Sequence, residues 1–359
     1  LAGNDHNPDI FVGRFSAENV DHVITMVERT LEYEKQPLTT SNWFNKGVGI
    51  ASDQGPGDDN EMDYQHMQNI RTDLVGYTYE SIAELYDGSQ GGEDLPGNPS
   101  QSNVATEVNA GRSIINYVGH GSDNSWSTTG FSNTNVNALT NNHMWPFIFS
   151  VACVNGNFVS GTCFAEAWLR AKNATGPTGA VATLMSTINQ SWNPPMDGQD
   201  EMNDILVESY PTNIKRTFGG ISMNGCIKMN ETYGSGGDEM TDTWTIFGDP
   251  SVMVRTADPT PISATHENQI FLGSTSMVVN SPVEGALVAL SLDNQLITSA
   301  FINNGMVTLN FDAFQSPDTA HLVITAYNHV PYITDLAIIP NNGPYLIYNS
   351  NTISDAAFN

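Results

Sequence analysis

The chain of 359 residues is long enough for two domains, and 39% of its residues are hydrophobic. Twelve lysines and arginines stand against 39 aspartates and glutamates, so the formal net charge is -27, and a surface of this sign argues against a nucleic-acid partner because it repels phosphate. No apolar run approaches the roughly 20 residues of a membrane span, and three cysteines are too few for a disulfide scaffold.

Residues 1–257 predict alternating strands and helices, the pattern of an α/β domain with a parallel sheet and right-handed crossovers. The first helix is expected to begin at Ser16 and to have its apolar face at Val20, Val23, Ile24, Val27 and Leu31. The expected elements are, in order, a helix at 16–35, a strand at 47–51, a helix at 67–87, a strand that ends at His120, a helix at about 133–141, a strand that ends at Cys153, a helix at 164–172, a strand at 180–188 and a helix at 200–209.

Residues 258–340 have a different pattern, with short alternating strands separated by turn residues. Strands are expected at 276–279, 286–290, 306–311 and 321–326, with hairpin turns at 293–294 and 303–305. The pattern predicts a small all-β sandwich. The polar segment 341–359 is expected to be a linker or the start of a further module.

Two apolar runs about thirty residues apart end in reactive side chains, one in His120 and the other in Cys153. Buried parallel strands have this composition, and functional sites lie beyond the carboxyl ends of such strands. Neighbouring strands would therefore place an imidazole beside a thiol, the minimum requirement for cysteine nucleophilic catalysis. The alternative interpretation is a small buried thiol and a loop histidine, which we retain for Cys163 and Cys226 because they lack this setting.

These residue types predict distinct chemical roles. His120 could take the thiol proton and return it to a leaving amine. Gly121 would let the backbone approach a substrate closely, and its N–H, together with that of Cys153, could stabilise an oxyanion.

Longer motifs surround the pair. They are NYVGHGS at 116–122, VACVNG at 151–156, STINQSW at 186–192, KRTFGG at 215–220 and TWTIFGDPS at 243–251. Together they resemble the gingipains, a family of caspase-like cysteine peptidases, and the resemblance extends from Gly3 through the β-sandwich. It implies a caspase-like catalytic domain followed by an immunoglobulin-like domain. The implied activity is hydrolysis of peptide bonds in protein or peptide substrates, by a secreted or cell-surface bacterial protein that uses Cys153 and His120.

The resemblance also implies a substrate preference. In the Arg-specific members an aspartate lies at the bottom of the pocket for the P1 residue, and Asp63 matches it. A partly buried carboxylate can accept two parallel N–H bonds from a guanidinium, which an ammonium does not offer. Trp192 resembles the pocket-wall tryptophan. Val118, Val151 and Met196 match other lining positions, with core packing as an equal alternative. Without the resemblance, Asp63 would be one of several solvated acids.

The sequence departs from the family in two places. Where the family has a glutamate that orients the catalytic histidine, this chain has Gln54, preceded by Asp53. Either Asp53, narrowly ahead of Gln54, serves as the third member, or the third member is dispensable in this chain. The family's smaller N-terminal subdomain has no counterpart, so the chain is expected to be a processed or truncated piece, with its own N-terminal segment or propeptide as a partner.

The chemistry requires no cofactor, but the resemblance leaves a structural calcium ion open. Its ligands are unassigned, since Asp58–Asp59 and the group Asp238, Glu239 and Asp242 lack EF-hand spacing and serve equally well as solvated charge. Three functions stay open. The first is an Arg-preferring cysteine endopeptidase, the second a caspase-like peptidase of other P1 preference or a surface-protein transpeptidase, and the third an inactive peptidase fold that acts as an adhesin or scaffold.

Overall fold

The computed structural model describes residues 6–159 and 161–341. The chain divides into two compact units, Leu1–Thr260 and Pro261–Asn359. The sequence had placed the boundary at 257, three residues earlier. The expected linker at 341–359 lies outside the described residues apart from its first position.

The first unit contains eight α-helices and eleven strands among the described residues. The helices are α1 (Val20–Lys35), α2 (Asp63–Tyr77), α3 (Gln101–Asn109), α4 (Asn133–Val136), α5 (Phe164–Arg170), α6 (Asn193–Leu206), α7 (Phe218–Tyr233) and α8 (Ser235–Thr243). The strands are β1 (Gly13–Arg14), β2 (Lys46–Ala51), β3 (Ser81–Tyr86), β4 (Ile114–Val118), β5 (Gly121–Ser122), β6 (Ser125–Trp126), β7 (Phe147–Val151), β8 (Lys172–Asn173), β9 (Gly176–Pro177), β10 (Ala182–Ser186) and β11 (Trp244–Phe247).

Seven of these strands form one sheet in the order β1-β11-β10-β7-β4-β2-β3. Every neighbouring pair is parallel except β10 with β11. The inner strands β4, β7 and β10 are buried at every position, as expected for a parallel sheet covered on both faces. Successive residues contribute to opposite hydrophobic clusters: Phe147 and Phe149 belong to one, and Ile148 to the other.

The register of β4 and β7 confirms that the His and Cys strands are neighbours. Ile114 pairs with Phe147 and Val118 with Val151, in parallel. His120 and Cys153 each follow two residues after this last pair. The two loops therefore leave the sheet at the same edge and at the same height.

The first helix forms, but the prediction was wrong about its start and its buried face. Asn19 caps α1 in place of Ser16, because its side chain accepts a hydrogen bond from the His22 backbone. Val20 is 74% exposed, whereas Arg29 on the opposite face is 1% exposed. The two terminal nitrogens of the Arg29 guanidinium donate to three backbone carbonyls, those of Leu169, Ala171 and Ala180, which offsets the cost of burying the charge. The spacing of apolar residues alone could not predict that the buried face of α1 contains an arginine.

A second expectation, a helix over 67–87, was half wrong. Helix α2 ends at Tyr77, and Ser81–Tyr86 forms the edge strand β3, paired in parallel with β2. The short apolar pattern of this segment fits either structure, and the partner strand decides. The strand expected at 180–188 and the helices expected at 133–141 and 164–172 are present in shortened form.

The helix expected at 200–209 begins earlier, at Asn193. Pro194 and Pro195 lie in its first turn, where a missing backbone N–H has no helical partner to lose. Helix α7 was not predicted, because glycines interrupt its pattern. They have a packing role. A Cβ on Gly225 would lie 2.5 Å from the backbone oxygen of Gly198, so α6 and α7 can approach this closely only because residue 225 has no side chain.

The second unit is an all-β sandwich, as predicted. Its strands are β12 (Thr260–Pro261), β13 (Thr265–His266), β14 (Gln269–Phe271), β15 (Ser276–Asn280), β16 (Leu287–Leu292), β17 (Gln295–Phe301), β18 (Met306–Asn310), β19 (Asp318–Thr325), β20 (His329–Val330) and β21 (Tyr332–Ile339). A three-stranded sheet, β13-β15-β18, and a five-stranded sheet, β14-β21-β19-β16-β17, enclose one core. Both predicted hairpin turns are present, with positive φ at Asp293, Asn294, Asn304 and Gly305.

Candidate active site

His120 and Cys153 lie on adjacent loops at the carboxyl edge of the sheet. The Gly119 backbone N–H donates to the Val151 carbonyl, 3.1 Å away, and so extends the pairing of the two strands into the loops. A Cβ on Gly121 would lie 2.8 Å from the Cys153 carbonyl oxygen, so the two loops come this close only with glycine there. The imidazole is exposed and the thiol half-buried, which leaves both side chains open to a ligand.

Gln54, and not Asp53, holds the imidazole. Nε2 of His120 lies 2.9 Å from Oε1 of Gln54, whereas no hydrogen bond joins Asp53 to His120 among residues 6–159 and 161–341. The narrow preference for Asp53 is thus wrong about which side chain faces the ring. Asp53 is exposed, and its charge adds to burial in raising the pKa of the nearby Asp87 carboxyl. Because an amide oxygen only accepts, Nε2 carries the hydrogen and Nδ1 keeps its lone pair.

The loop that carries Gln54 is fixed from several directions. Its carbonyl accepts a hydrogen bond from the Asp63 backbone N–H at 2.9 Å, and its N–H lies 3.3 Å from the Ser52 hydroxyl. The Ser52 N–H donates to the Val118 carbonyl at 3.1 Å. The strand that ends in His120 therefore also anchors the loop that orients His120.

Two aromatic side chains complete the surroundings of the imidazole. The Tyr117 hydroxyl donates to the His120 carbonyl at 2.6 Å, which holds the backbone at the turn. The Trp192 ring meets the imidazole edge-on, with 5.2 Å between centroids and 71° between planes. The ring of His120 is thus confined by Gln54 at one nitrogen and by Trp192 at its side.

The environments of the three cysteines differ. Cys163 is 1% exposed and Cys226 is 7% exposed. Burial raises the pKa of each to about 12, so both remain thiols at neutral pH. The Cys153 sulfur instead borders a cleft, 4.0 Å from the Gln190 carbonyl oxygen.

That cleft is narrow and opens to solvent. It contains Cys153 itself and three of the positions that the resemblance implies as pocket lining. Its walls are formed by Val118, Gly119, Val151, Cys153, Gln190, Ser191 and Trp192. Val118 and Val151 come from the two central strands, so the end of the sheet forms the base of the cleft.

Met196 is not among these walls. It is fully buried in the core below the site, and a Cβ on Gly57 would lie 2.3 Å from its sulfur and 2.8 Å from Cδ1 of Trp192. Met196 thus packs against Gly57, which also lies beside Trp192. Its position is that of a core residue rather than a pocket-lining one.

Asp63 is a fully buried carboxylate at the start of α2. The Ser52 hydroxyl donates to Oδ2, and Nε1 of Trp192 donates to Oδ1 at 3.0 Å. Burial raises the pKa of Asp63 above its ordinary value, while these two hydrogen bonds and the nearby histidines lower it. The helix N-terminus also favours the ionised form. A cation that reached this carboxylate would meet a negative charge shielded from water.

Several residues around the site were not singled out from the sequence. Gln190 and Ser191 follow β10, and the strand-end rule that located His120 and Cys153 would have located them too. Asn155 is buried between the loops that carry His120 and Cys153 and was identified only as part of the VACVNG motif. Ser52 carries no pattern of its own, since its role depends on the fold bringing it to Asp63.

The acidic groups considered for calcium do not converge. Within residues 6–159 and 161–341, no three or more His, Cys, Asp or Glu side chains are placed to hold one metal ion. Asp238, Glu239 and Asp242 lie along α8, while Asp58 accepts a hydrogen bond from the Tyr233 hydroxyl. Over the same described ranges, no helix combines the length and apolar character needed to cross a membrane.

Comparisons with known proteins match both units. The profile of Peptidase family C25 matches residues 1–255, and that of the Peptidase family C25 C-terminal ig-like domain matches residues 265–338. Gingipain R1 of Porphyromonas gingivalis is 43% identical over 348 residues, which are 96% of this chain and 34% of that protein. The chain therefore spans about a third of this curated relative.

Solved structures confirm the fold class. The crystal structure of the Arg specific cysteine proteinase gingipain R (RGPB) has a TM-score of 0.89 at 40% identity, covering 94% of this chain and 77% of the solved chain. The complex of Porphyromonas gingivalis RgpB pro- and mature domains has a TM-score of 0.88 at 41% identity, covering 94% and 78%. An α/β catalytic domain followed by an immunoglobulin-like domain is thus the architecture of this chain.

Proposed function

The chain belongs to peptidase family C25, and from this premise we propose that it is a cysteine endopeptidase that hydrolyses peptide bonds after arginine. The observation that carries the proposal is the arrangement at the sheet edge. His120 and Cys153 follow the paired residues Val118 and Val151 by the same two positions, at one cleft. Behind the cleft lies the buried carboxylate of Asp63.

In the proposed reaction, Nδ1 of His120 takes the proton of the Cys153 thiol, and the thiolate forms an S–C bond to the scissile carbonyl. The electron pair of the carbonyl moves to oxygen, where the backbone N–H groups of Gly121 and Cys153 stabilise it. His120 then gives its proton to the leaving nitrogen as the C–N bond breaks. Water attacks the thioester, loses a proton to His120 and releases the acid and the thiol. Nucleophile and base are both side chains, so the chemistry needs no cofactor.

The neutral Gln54 amide sets the character of the base. It fixes the tautomer by accepting from Nε2, but it provides no negative charge to stabilise an imidazolium. Burial raises the pKa of the Asp63 carboxyl, and the charge of His120 is among the influences that lower it, so the two side chains interact. The proposed enzyme is thus a Cys–His dyad with an orienting amide.

Arginine selectivity follows from the position of Asp63. Each carboxylate oxygen accepts one hydrogen bond, from Ser52 or from Trp192, and each has a further lone pair. A planar guanidinium can bond both oxygens at once, whereas an ammonium makes a single-point contact. The cleft walls of Val118, Val151 and Trp192 would contact the aliphatic stem of the P1 side chain.

The proposal extends to partners and location. We propose protein or peptide substrates, a secreted or cell-surface location and a propeptide partner. The propeptide is supported by the solved relative described as a complex of RgpB pro- and mature domains. Structural calcium stays outside the proposed chemistry, with its ligands unassigned.

The test is cleavage of matched peptide amides that differ only in P1 Arg or P1 Lys. We expect kcat/KM for Arg to exceed that for Lys by about 10²-fold or more, because the guanidinium can form two hydrogen bonds with the Asp63 carboxylate and the ammonium cannot. Equal or better cleavage after Lys would remove Asp63 from its role. Cleavage after neither residue would reject the peptidase proposal in this form.

A further inference from the structure

The buried Asn155 side chain connects the loops that carry Cys153 and His120. Asn155 lies two residues after the thiol and has no exposed surface. Its Nδ2 donates to the Ser122 carbonyl at 2.7 Å and to the Ser125 carbonyl at 3.1 Å. Both acceptors belong to the β5–β6 hairpin, which begins directly after His120.

The amide of Asn155 is held in one orientation. Its Oδ1 accepts from the Ser150 hydroxyl at 3.0 Å, and that hydroxyl accepts from Nε1 of Trp126 at 2.9 Å. Trp126 lies on β6 and Ser150 on β7, so a closed ring of hydrogen bonds joins the hairpin, the strand and the cysteine loop. Such a buried network is rigid only while every member has its partner.

The backbone at this turn requires external support. Val154, between the thiol and Asn155, has a φ of +50°, in the left-handed region that β-branched residues avoid. Its N–H donates to the Ile188 carbonyl at 2.9 Å, and the Gly156 N–H donates to the Ser186 carbonyl at 2.8 Å. These bonds hold the turn towards β10, whereas the Asn155 side chain holds it towards His120.

We propose that Asn155 is a positioning residue for the peptidase reaction, which clamps the Cys153 loop against the hairpin behind His120 and so sets the spacing of thiol and imidazole. The proposal rests on the proposed function in that the spacing matters for the Cys–His dyad. Asn155 does not touch the substrate. Its effect on the rate comes through geometry, where a displacement of about 1 Å can cost roughly 10²-fold in rate.

The chain offers a matched control at the opposite end of the sheet. Asn141 is also fully buried, and its Nδ2 donates to the carbonyls of Met144 at 2.9 Å and Gly179 at 2.8 Å. Its Oδ1 accepts from the Gly179 N–H at 3.0 Å. It therefore joins two loops in the same way, but at the amino ends of β7 and β10, away from the cleft.

The experiment compares three full-chain variants, Asn155→Ala, Asn155→Asp and Asn141→Asp. One assay measures kcat and KM on a P1 Arg peptide amide. A second measures the pH profile of Cys153 alkylation by iodoacetamide. We expect both Asn155 variants to lose about 10²-fold in kcat with KM changed less than about threefold. The alkylation midpoint should rise by about one pH unit as the thiolate loses its imidazole partner. Asn141→Asp should keep both properties near those of the wild type.

Ser150→Ala keeps the Asn155 side chain and tests the clamp if the Asn155 variants do not fold. It should lower kcat by about threefold to tenfold, since the amide loses one of its three hydrogen bonds. Unchanged kcat and an unchanged alkylation profile in folded Asn155 or Ser150 variants, or an equal kcat loss in Asn141→Asp, would overturn the proposal. If the wild type cleaves no peptide, the proposed function fails, but the alkylation profiles still decide whether Asn155 positions the thiol.

Discussion

Cys153 and Cys163 are ten residues apart in the chain, yet their surroundings differ in every respect that governs thiol reactivity. Cys163 caps α5, is 1% exposed and has its pKa raised to about 12 by burial. Cys153 follows a buried strand, is half-buried, borders a cleft and lies on the loop adjacent to the His120 loop. The third thiol, Cys226, resembles Cys163, since burial raises its pKa to about 12 as well.

A cysteine is therefore placed in a candidate site by its position at the end of a sheet strand, and not by its residue type alone. A parallel sheet ends several strands at one edge, where the backbone turns and side chains reach solvent. A helix packed on that sheet buries its thiol and keeps it protonated.

Peptidase activity should depend on the Cys153 thiol and not on the Cys163 thiol. Cys153→Ala should lower peptidase kcat by at least about 10⁴-fold, because the covalent step is lost. Cys163→Ala, the matched control, should stay within about threefold of the wild type, since its thiol is inert. Initial rates on a P1 Arg peptide amide, normalised to folded protein by circular dichroism, measure both. Comparable losses in the two variants would contradict the contrast.

Removing the imidazole should make Cys153 behave like Cys163. His120→Ala is expected to lower kcat by about 10²–10⁴-fold, the usual contribution of a general base and acid. The alkylation rate of Cys153 at pH 7 should fall with it, whereas Cys163 and Cys226 should be unaffected. Mass spectrometry of the alkylated peptides reads all three sites in one sample. An unchanged Cys153 rate would mean that His120 does not activate the thiol.

Asp63→Asn should change specificity while leaving the dyad in place. We expect kcat/KM for P1 Arg to fall by about 10²-fold or more, and the Arg-to-Lys ratio to approach one, because the guanidinium loses its charged partner. For the wild type, KM for Arg substrates should rise as the pH falls through the raised pKa of Asp63, since the protonated acid binds a cation weakly. Steady-state kinetics from pH 4 to 8 measure both trends.

The same substitution should affect stability in the opposite direction. A carboxyl whose pKa is raised in the folded state binds its proton more tightly there than in the unfolded chain. Its ionisation therefore costs folding free energy as the pH rises from the ordinary value of 3.8 through the raised value. Melting temperatures should show Asp63→Asn gaining on the wild type over that range. A wild type that gains instead would mean the carboxylate is stabilised by its site.

The smallest effects concern the residue that orients His120. Gln54→Ala should lower kcat by about tenfold, whereas the exposed Asp53→Ala should change it less than about threefold. Gln54→Glu should raise the pKa of the imidazole and move the acidic limb of the kcat/KM profile up by about one pH unit, because His120 must be unprotonated to take the thiol proton. A larger loss in Asp53→Ala than in Gln54→Ala would reverse the assignment.

The sequence predicted the elements whose type is determined by a short local pattern of residues. The buried strands that precede His120 and Cys153 are predominantly apolar, and their composition indicated both their type and their position. The tight turns of the sandwich were predictable for the same reason, since Asn and Gly at positive φ mark a two-residue hairpin. The adjacency of His120 and Cys153 could be predicted because each residue stands at the end of such a strand.

What the sequence did not predict depends on partners distant in the chain. The buried face of α1 is determined by carbonyls of the segment Leu169–Ala180, which Arg29 satisfies. The strand at Ser81–Tyr86 is determined by its pairing with β2. The choice of Gln54 over Asp53 depends on a loop held by Asp63 and Ser52, whose geometry no pattern reveals.

Labelling of the wild-type chain with a chloromethyl ketone that carries Arg at P1, followed by peptide mass mapping, tests the Cys–His site and its arginine pocket together. We expect a single adduct on Cys153, formed at neutral pH, absent in His120→Ala and slowed in Asp63→Asn, with no adduct on Cys163 or Cys226. An adduct spread over the three cysteines, or one on Cys153 that forms equally fast in all three proteins, would contradict this expectation.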